Sequence, residues 1–271
     1  MPLPKGAAAA LAAAMAVGPG SGVAQANDAG SLSHAAGAVT ATLEWDKADF
    51  GIANPRLHVD RAGVRYDLTI ADICVEGCIV VPDDGTGDPS ATSMVKVADL
   101  DADGEPEVLV DTFSGGAHCC LTARLLTWDG TGYTPKDLSY GDVGYALRDA
   151  DGDGRPELVG FDPRFSAAFT AFAGSGFPAQ VLRVDHGAVT DVTRRFPAVV
   201  KADAKTHLGE LRAAKRTDDV RGVLAAYVAD QYLLGTGAKG TAEVDHQRRA
   251  GRVSAAFKKL LLRKLHGWKY R

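Results

Sequence analysis

The sequence predicts a mainly β protein that ends in a small α-helical region. Three observations carry that prediction. From Val39 to about Val192, apolar residues recur at alternate positions in short runs bounded by Gly, Asp and Pro, which is the period of strands. Inside that stretch two acidic segments repeat almost word for word, Asp99-Leu-Asp-Ala-Asp-Gly-Glu-Pro-Glu107 and Asp149-Ala-Asp-Gly-Asp-Gly-Arg-Pro-Glu157. Beyond Val192 the apolar spacing changes to that of helices.

Taken in order, the chain opens like an export signal. Lys5 supplies the positive start, Ala7 to Val17 the short apolar run, and Ala24-Gln25-Ala26 a small-x-small cleavage site. Residues 1–26 are therefore expected to be a signal peptide, and the protein to be secreted, periplasmic or held in the cell envelope. The apolar run is too short to span a bilayer, and no later stretch approaches the ~20 apolar residues of a membrane helix. The formal net charge of −4 is mild and argues against a general nucleic-acid partner. Four cysteines, Cys74, Cys78, Cys119 and Cys120, in an oxidising compartment suggest two disulfides, with all three pairings open.

Residues 27–38, rich in Gly, Ala, Ser and Asp, read as a flexible leader, 39–192 as the β-repeat domain and 193–271 as the helical region. Leu57, Val59, Val64, Tyr66, Leu68 and Ile70 alternate around a turn at Arg61-Ala-Gly63, as a hairpin does. Val95 and Val97 lead into the first acidic loop, Val108-Leu-Val110 leave it, and Leu125 to Trp128 precede a turn at Asp129-Gly-Thr-Gly132. In the second copy Tyr145 and Leu147 enter the loop and Leu158-Val159 leave it. Phe169 to Phe172 then precede Ala173-Gly-Ser-Gly176. Matching Gly132 with Gly176 assigns the first copy about six extra residues, within Ser114-Gly-Gly-Ala-His-Cys-Cys120. In the tail, Val220, Val223, Leu224, Tyr227, Val228 and Gln231 form one helical stripe, capped by Asp218 or Asp219 and ended by Gly235. A second helix is expected over Glu243 to Leu265 and a weaker one over Ala202 to Lys215.

The acidic loops carry chemistry. Calcium takes six to eight oxygen ligands on a chain that bends tightly. Asp99, Asp101 and Asp103, and Asp149, Asp151 and Asp153, place carboxylates at loop positions 1, 3 and 5. Gly104 and Gly154 turn the chain at position 6, Glu105 and Arg155 offer carbonyls at position 7, and Glu107 and Glu157 close the set at position 9. An EF-hand needs Glu at position 12, where Val110 and Gly160 stand, and its flanks are helices. These loops join strands.

The form D-x-D-x-D-G-x-x-[DE] before an apolar strand resembles the FG-GAP/VCBS repeat family, the blades of integrin-α-like β-propellers, over roughly residues 90–180 with a weaker stretch at 39–80. The resemblance implies two to three propeller-like blades, fewer than a closed propeller needs, and two structural Ca²⁺ sites. It implies a secreted interaction module whose partner is a protein or a surface polysaccharide. The segment from Gly115 to Cys120 also resembles part of uncharacterised secreted bacterial proteins with such repeats.

Three readings compete for Gly115, Gly116, His118, Cys119 and Cys120: a disulfide staple to Cys74 and Cys78, a zinc or copper site, and a thiol activated by His118. The last two make the alternative function an exported enzyme or metal-binding protein; otherwise no catalytic residue is assigned. H-E-x-x-H, G-x-S-x-G and P-loop patterns are absent. The C-terminal helix is cationic, with nine Lys and Arg after Asp245 and no acid among them, so contact with an anionic surface is a further expectation.

Overall fold

Strand formation follows the alternation. Val39, Ala41 and Leu43 on strand β2 (Val39–Asp46) meet Leu57 and Val59 on β3 (Ala53–Arg61), with Ala41 opposite Val59 and Leu43 opposite Leu57. All five are buried. The computed structural model describes residues 29–49, 51–74, 94–113, 121–141 and 143–271. The signal segment, Cys78, Cys119, Cys120 and the whole Gly115-to-His118 stretch lie outside the described residues. Cys74 is buried and disulfide-bonded.

The first sheet runs β1 (Gly30–Ala36), β2, β3, β4 (Val64–Leu68), all antiparallel. Its β3–β4 turn is the expected one at Ala62-Gly63, both with positive φ. The expected leader differs. Residues 30–36 pair with β2 along their length, and Ser33 and Thr42 join hydroxyls at 2.9 Å. Its small polar residues hid a strand whose backbone bonds are supplied by a neighbour.

The second sheet is β5 (Val95–Ala98), β6 (Glu107–Phe113), β7 (Leu121–Trp128), β8 (Tyr133–Gly141). The third is β9 (Tyr145–Arg148), β10 (Glu157–Phe161), β11 (Ala179–Asp185), β12 (Ala188–Asp191). In each, the acidic loop joins the first strand to the second. Val108 and Val110 pack with the first sheet, while Leu109 packs with Leu147, Leu158 and Val184 of the third. The middle sheet is thus covered on both faces, which explains the unbroken Val108-Leu-Val110. Among the described residues the sheets form no closed barrel or propeller.

The expected register between copies is corrected by the ladder. The equivalent of β7 is β11, not Phe169 to Phe172, and the equivalent hairpin turn is His186-Gly187, both with positive φ. The longer insertion belongs to the second copy, residues 162–178, against 114–120 in the first. Its aromatics Phe165 and Phe169 are buried among the helices. Gly174 and Gly176, read as a hairpin turn, instead bring backbone against backbone. A Cβ on Gly222 would stand 2.0 Å from the Gly174 oxygen, and one on Gly176 2.7 Å from Val223 Cα.

Four helices follow: α1 (Pro197–Ala213), α2 (Arg221–Leu233), α3 (Gly237–Arg249) and α4 (Ala255–Gly267). Pro197 starts α1 five residues ahead of the expectation; proline suits a first helical position, where no amide donor is required. The single helix expected over Glu243 to Leu265 is two. Gly251 takes φ +71°, Arg252 N–H donates to the Gln247 carbonyl at 3.0 Å, and Ser254 caps α4 by accepting from Phe257 N–H at 3.1 Å. The apolar stripe Phe257, Leu261 and Leu265 is spent on the core, and Asp245 pairs with Arg248 at 2.9 Å and Lys258 at 2.7 Å.

Gly222→Ala is expected to force this backbone contact apart. Overpacking costs about 1–3 kcal/mol, which for a chain of this size lowers Tm by several degrees. Thermal unfolding checks it; an unchanged Tm would refute the close contact.

Candidate cation site

Both acidic loops fold alike, for local reasons. The Asp99 carboxylate accepts from the backbone N–H of Asp103 and Gly104 at 3.2 and 3.0 Å, and Asp149 does the same for Asp153 and Gly154 at 3.1 and 2.9 Å. Asp103 and Asp153 accept from the amides two residues on. Gly104 and Gly154 take φ of +89° and +88°. The ninth-position glutamates fold back across the loops. Glu107 accepts from Leu100 N–H and Glu157 from Ala150 N–H, each at 2.9 Å. The result brings Asp99, Asp101 and Glu107 together, and likewise Asp149, Asp151 and Glu157, with one oxygen of each within 4.8 Å of the others. The position-7 residues, expected to serve through their carbonyls, use their side chains outside the loops: the Glu105 carboxylate is held by Arg61 of β3 at 2.6 Å, and Arg155 reaches the Val184 carbonyl at 3.2 Å.

The loops differ in what faces them. Val108 pairs with Leu126 and Leu158 with Leu182, so one step further out Glu107 faces Thr127 and Glu157 faces Arg183. Arg183 fills the second loop. Its guanidinium bonds Glu157 through Nε at 2.9 Å and through Nη2, and reaches Asp151 at 3.2 Å and Asp153 at 3.1 Å. The second cluster thus contains its own cation. In the first, Thr127 supplies only a hydroxyl, buried and without a hydrogen-bond partner. Glu107 is 2% exposed and forms no ion pair with any described Lys or Arg. Burial, with the charges of Asp101 and Asp103 behind it, raises Glu107 to about 7. The turn of the third sheet leans on this loop: His186 N–H donates to Asp101 at 2.7 Å, and the His186 ring lies 3.5 Å from Asp101 and 3.6 Å from Asp103.

Oxygen donors, two of them deeply buried carboxylates, suit a hard divalent cation such as calcium. The orphaned Thr127 hydroxyl and uncompensated Glu107 fit an ion at the first loop, and the Arg183 guanidinium already answers the second. Every carboxylate of the two loops is legible in the sequence, whereas Arg183, Thr127 and His186 are not. A basic residue inside the alternation Val181-Leu-Arg-Val184 was the available signal for Arg183; the other two depend on register.

The fold and site define an antiparallel three-sheet protein with a helical C-terminal region and an acidic loop lacking its own cation. Residues 200–260, within the helices, match the family described as the sll0997 C-terminal domain. The chain is 32% identical over 164 residues to the "Probable thylakoid lumen protein sll0997" of Synechocystis sp., covering 58% of this chain and 48% of that protein. It is 31% identical over 136 residues to the "Uncharacterized protein y4bJ" of Sinorhizobium fredii, covering 48% of this chain and 21% of that one. The chain thus spans about half or less of these relatives. No solved structure matches it. The FG-GAP/VCBS resemblance is corrected by these matches, which lead to sll0997 instead, and the reading as a calcium-repeat interaction module falls with it. Short acidic loops recur wherever a chain must bend around charge, so they specify a loop more than a lineage. Among the described residues no helix is long and apolar enough to cross a membrane, which says nothing of strands.

In cation-free buffer Arg183→Met is expected to destabilise the fold by about 3–5 kcal/mol, because Glu157 is then buried and unpaired. Added calcium should recover part of the loss; a variant as stable as the parent in chelator would refute the role of Arg183. A second expectation concerns pH. Glu107 rises from 4.5 to about 7 on folding, so its protonated form contributes stability that is complete below about pH 4.5 and lost as pH rises through 7. The full span corresponds to roughly 3 kcal/mol. The cation-free chain should therefore melt higher at pH 5 than at pH 7.5, and a flat profile would count against a buried Glu107.

Proposed function

We propose that this chain works outside the cytoplasm, and that its first acidic loop takes one calcium ion that fastens the second sheet to the His186 turn of the third. The compartment is supported by the Lys5-to-Ala26 signal pattern, by the disulfide-bonded Cys74, and by a relative named for the thylakoid lumen. The observation that carries the ion is the contrast between twin loops: Glu157 has Arg183, while Glu107 has a hydroxyl and two more carboxylates. A calcium ion there removes the repulsion among Asp99, Asp101 and Glu107, and Asp101 then ties ion to His186 backbone. At the second loop an ion must first displace Arg183, so the two expected sites are unequal.

Modules outside the cytoplasm hold calcium at about 0.1–1 mM. At ~1 mM calcium, a ~0.1 mM site contributes ~1.4 kcal/mol, or a Tm rise of a few degrees. Calcium is expected to raise the Tm of the parent chain at pH 7.5 and to leave Glu107→Gln unmoved. That variant should itself melt higher than the cation-free parent, since it removes the buried charge. A parent Tm indifferent to calcium overturns the ion; retention of the tagged chain in the cytoplasm of its host overturns the compartment.

A further inference from the structure

A second set of ligand-type side chains lies far from the acidic loops, inside the helical region. Asp203 and His207 sit four residues apart on α1 and so share one face, the buried one that also carries Val200, Ala204 and Leu211. Asp230 reaches the same point from α2 and is fully buried. His207 Nδ1 lies 2.8 Å from one Asp230 oxygen and 3.8 Å from Asp203. One ligand atom from each of the three falls within 4.8 Å of the others. Ala179 N–H of β11 donates to Asp203 at 2.7 Å and holds that carboxylate in place. The other Asp230 oxygen, Oδ1, is buried and has no hydrogen-bond partner.

A fully buried carboxylate oxygen without a donor is costly, more so when the group is charged. Two carboxylates beside one imidazole sit in apolar surroundings: burial, with the Asp230 charge behind it, raises Asp203 to about 7, and burial raises Asp230 well above its ordinary value. A dication with two carboxylates and a neutral imidazole is a neutral unit, which suits such a site. The spacing fits as well. Nitrogen and oxygen ligands at ~2.0–2.2 Å around a tetrahedral ion stand roughly 3.3 Å apart, between the two separations found here. Metal sites in helical bundles are built this way, from inward-facing residues on neighbouring helices.

We propose that Asp203, His207 and Asp230 form a buried site for one divalent transition-metal ion of the zinc class, bound through one imidazole nitrogen and two carboxylate oxygens. The mixed nitrogen and oxygen set favours zinc or cobalt over calcium. Asp203, the least buried of the three at 14% side-chain exposure, marks the side from which the ion enters.

Zinc titration of the chelator-treated full chain by calorimetry tests this site. One zinc ion is expected, bound at least tenfold more weakly by His207→Ala and by Asp203→Asn, and equally well by Asp101→Asn of the acidic loop. Zinc binding that survives both helix variants, or no zinc binding by the parent, overturns the proposal. Should the variants not fold, long-range ¹H–¹⁵N spectra of the unmutated chain decide. On adding zinc, one imidazole Nδ1 that does not belong to His186 or His118 must move to the shift of a metal-bound nitrogen. Unmoved rings, or movement confined to those two, refute the site. Calcium, which should not compete here, separates this result from that at the first loop.

Discussion

A carboxylate taken out of water must meet positive charge or keep its proton, and this protein buries several. Each is placed where two layers join. Asp111 of β6 pairs with Lys96 of β5 and accepts from Tyr145 of β9 at 2.8 Å, so an ion pair and its hydrogen bond link the second sheet to the third. Tyr140 stacks on that tyrosine at 4.7 Å. Asp162, at the exit of β10, is held by Arg164 and by the Tyr270 hydroxyl at 2.7 Å, which ties the end of the chain to the third sheet. Glu157 has Arg183. Glu107 is the member of this set without a cationic side chain, and the fold around it is otherwise the same.

This pattern makes the layers interdependent. Removing one partner of such a pair leaves a buried charge whose penalty exceeds what the pair contributed. The helices are not an appendage either. Arg194, just before α1, donates to the carbonyls of Tyr232 and Tyr270 at 2.8 and 2.7 Å, and so connects the start of the helical region to its middle and its end.

What could be read in the sequence was whatever depends on near neighbours. The acidic loops were legible because nine residues contain both the ligands and the glycines that shape them, and the structure closes both loops the same way. The hairpin at Ala62-Gly63 and the end of α2 at Gly235 were legible for the same reason. The rest depends on distant partners. Gly174 and Gly176 carry the signature of a turn, yet they serve a close approach to α2 that no local signal announces. The true turn uses His186 at φ +46° before Gly187, and positive φ is uncommon for any residue but glycine, so His-Gly carries a weaker turn signal than Asn-Gly or Asp-Gly. β1 lacks β-branched residues and exists because β2 pairs with it. Arg183 and His207 gain their meaning only from Glu157 and Asp230, residues more than twenty positions away.

The insertion after β10 has one more consequence. The segment that matches the sll0997 C-terminal domain ends at residue 260, yet its hydrophobic interior includes Phe165 and Phe169 from the sheet side and Leu265 and Tyr270 beyond that limit. Phe165 touches the rings of Phe169, Trp268 and Tyr270, all within 5.7 Å between centroids. The segment that the family model recognises is therefore smaller than the unit whose interior packs together. A recombination event that moved residues 200–260 alone would carry away a lock without part of its key, and inheritance of this module has to include the loop that fills it.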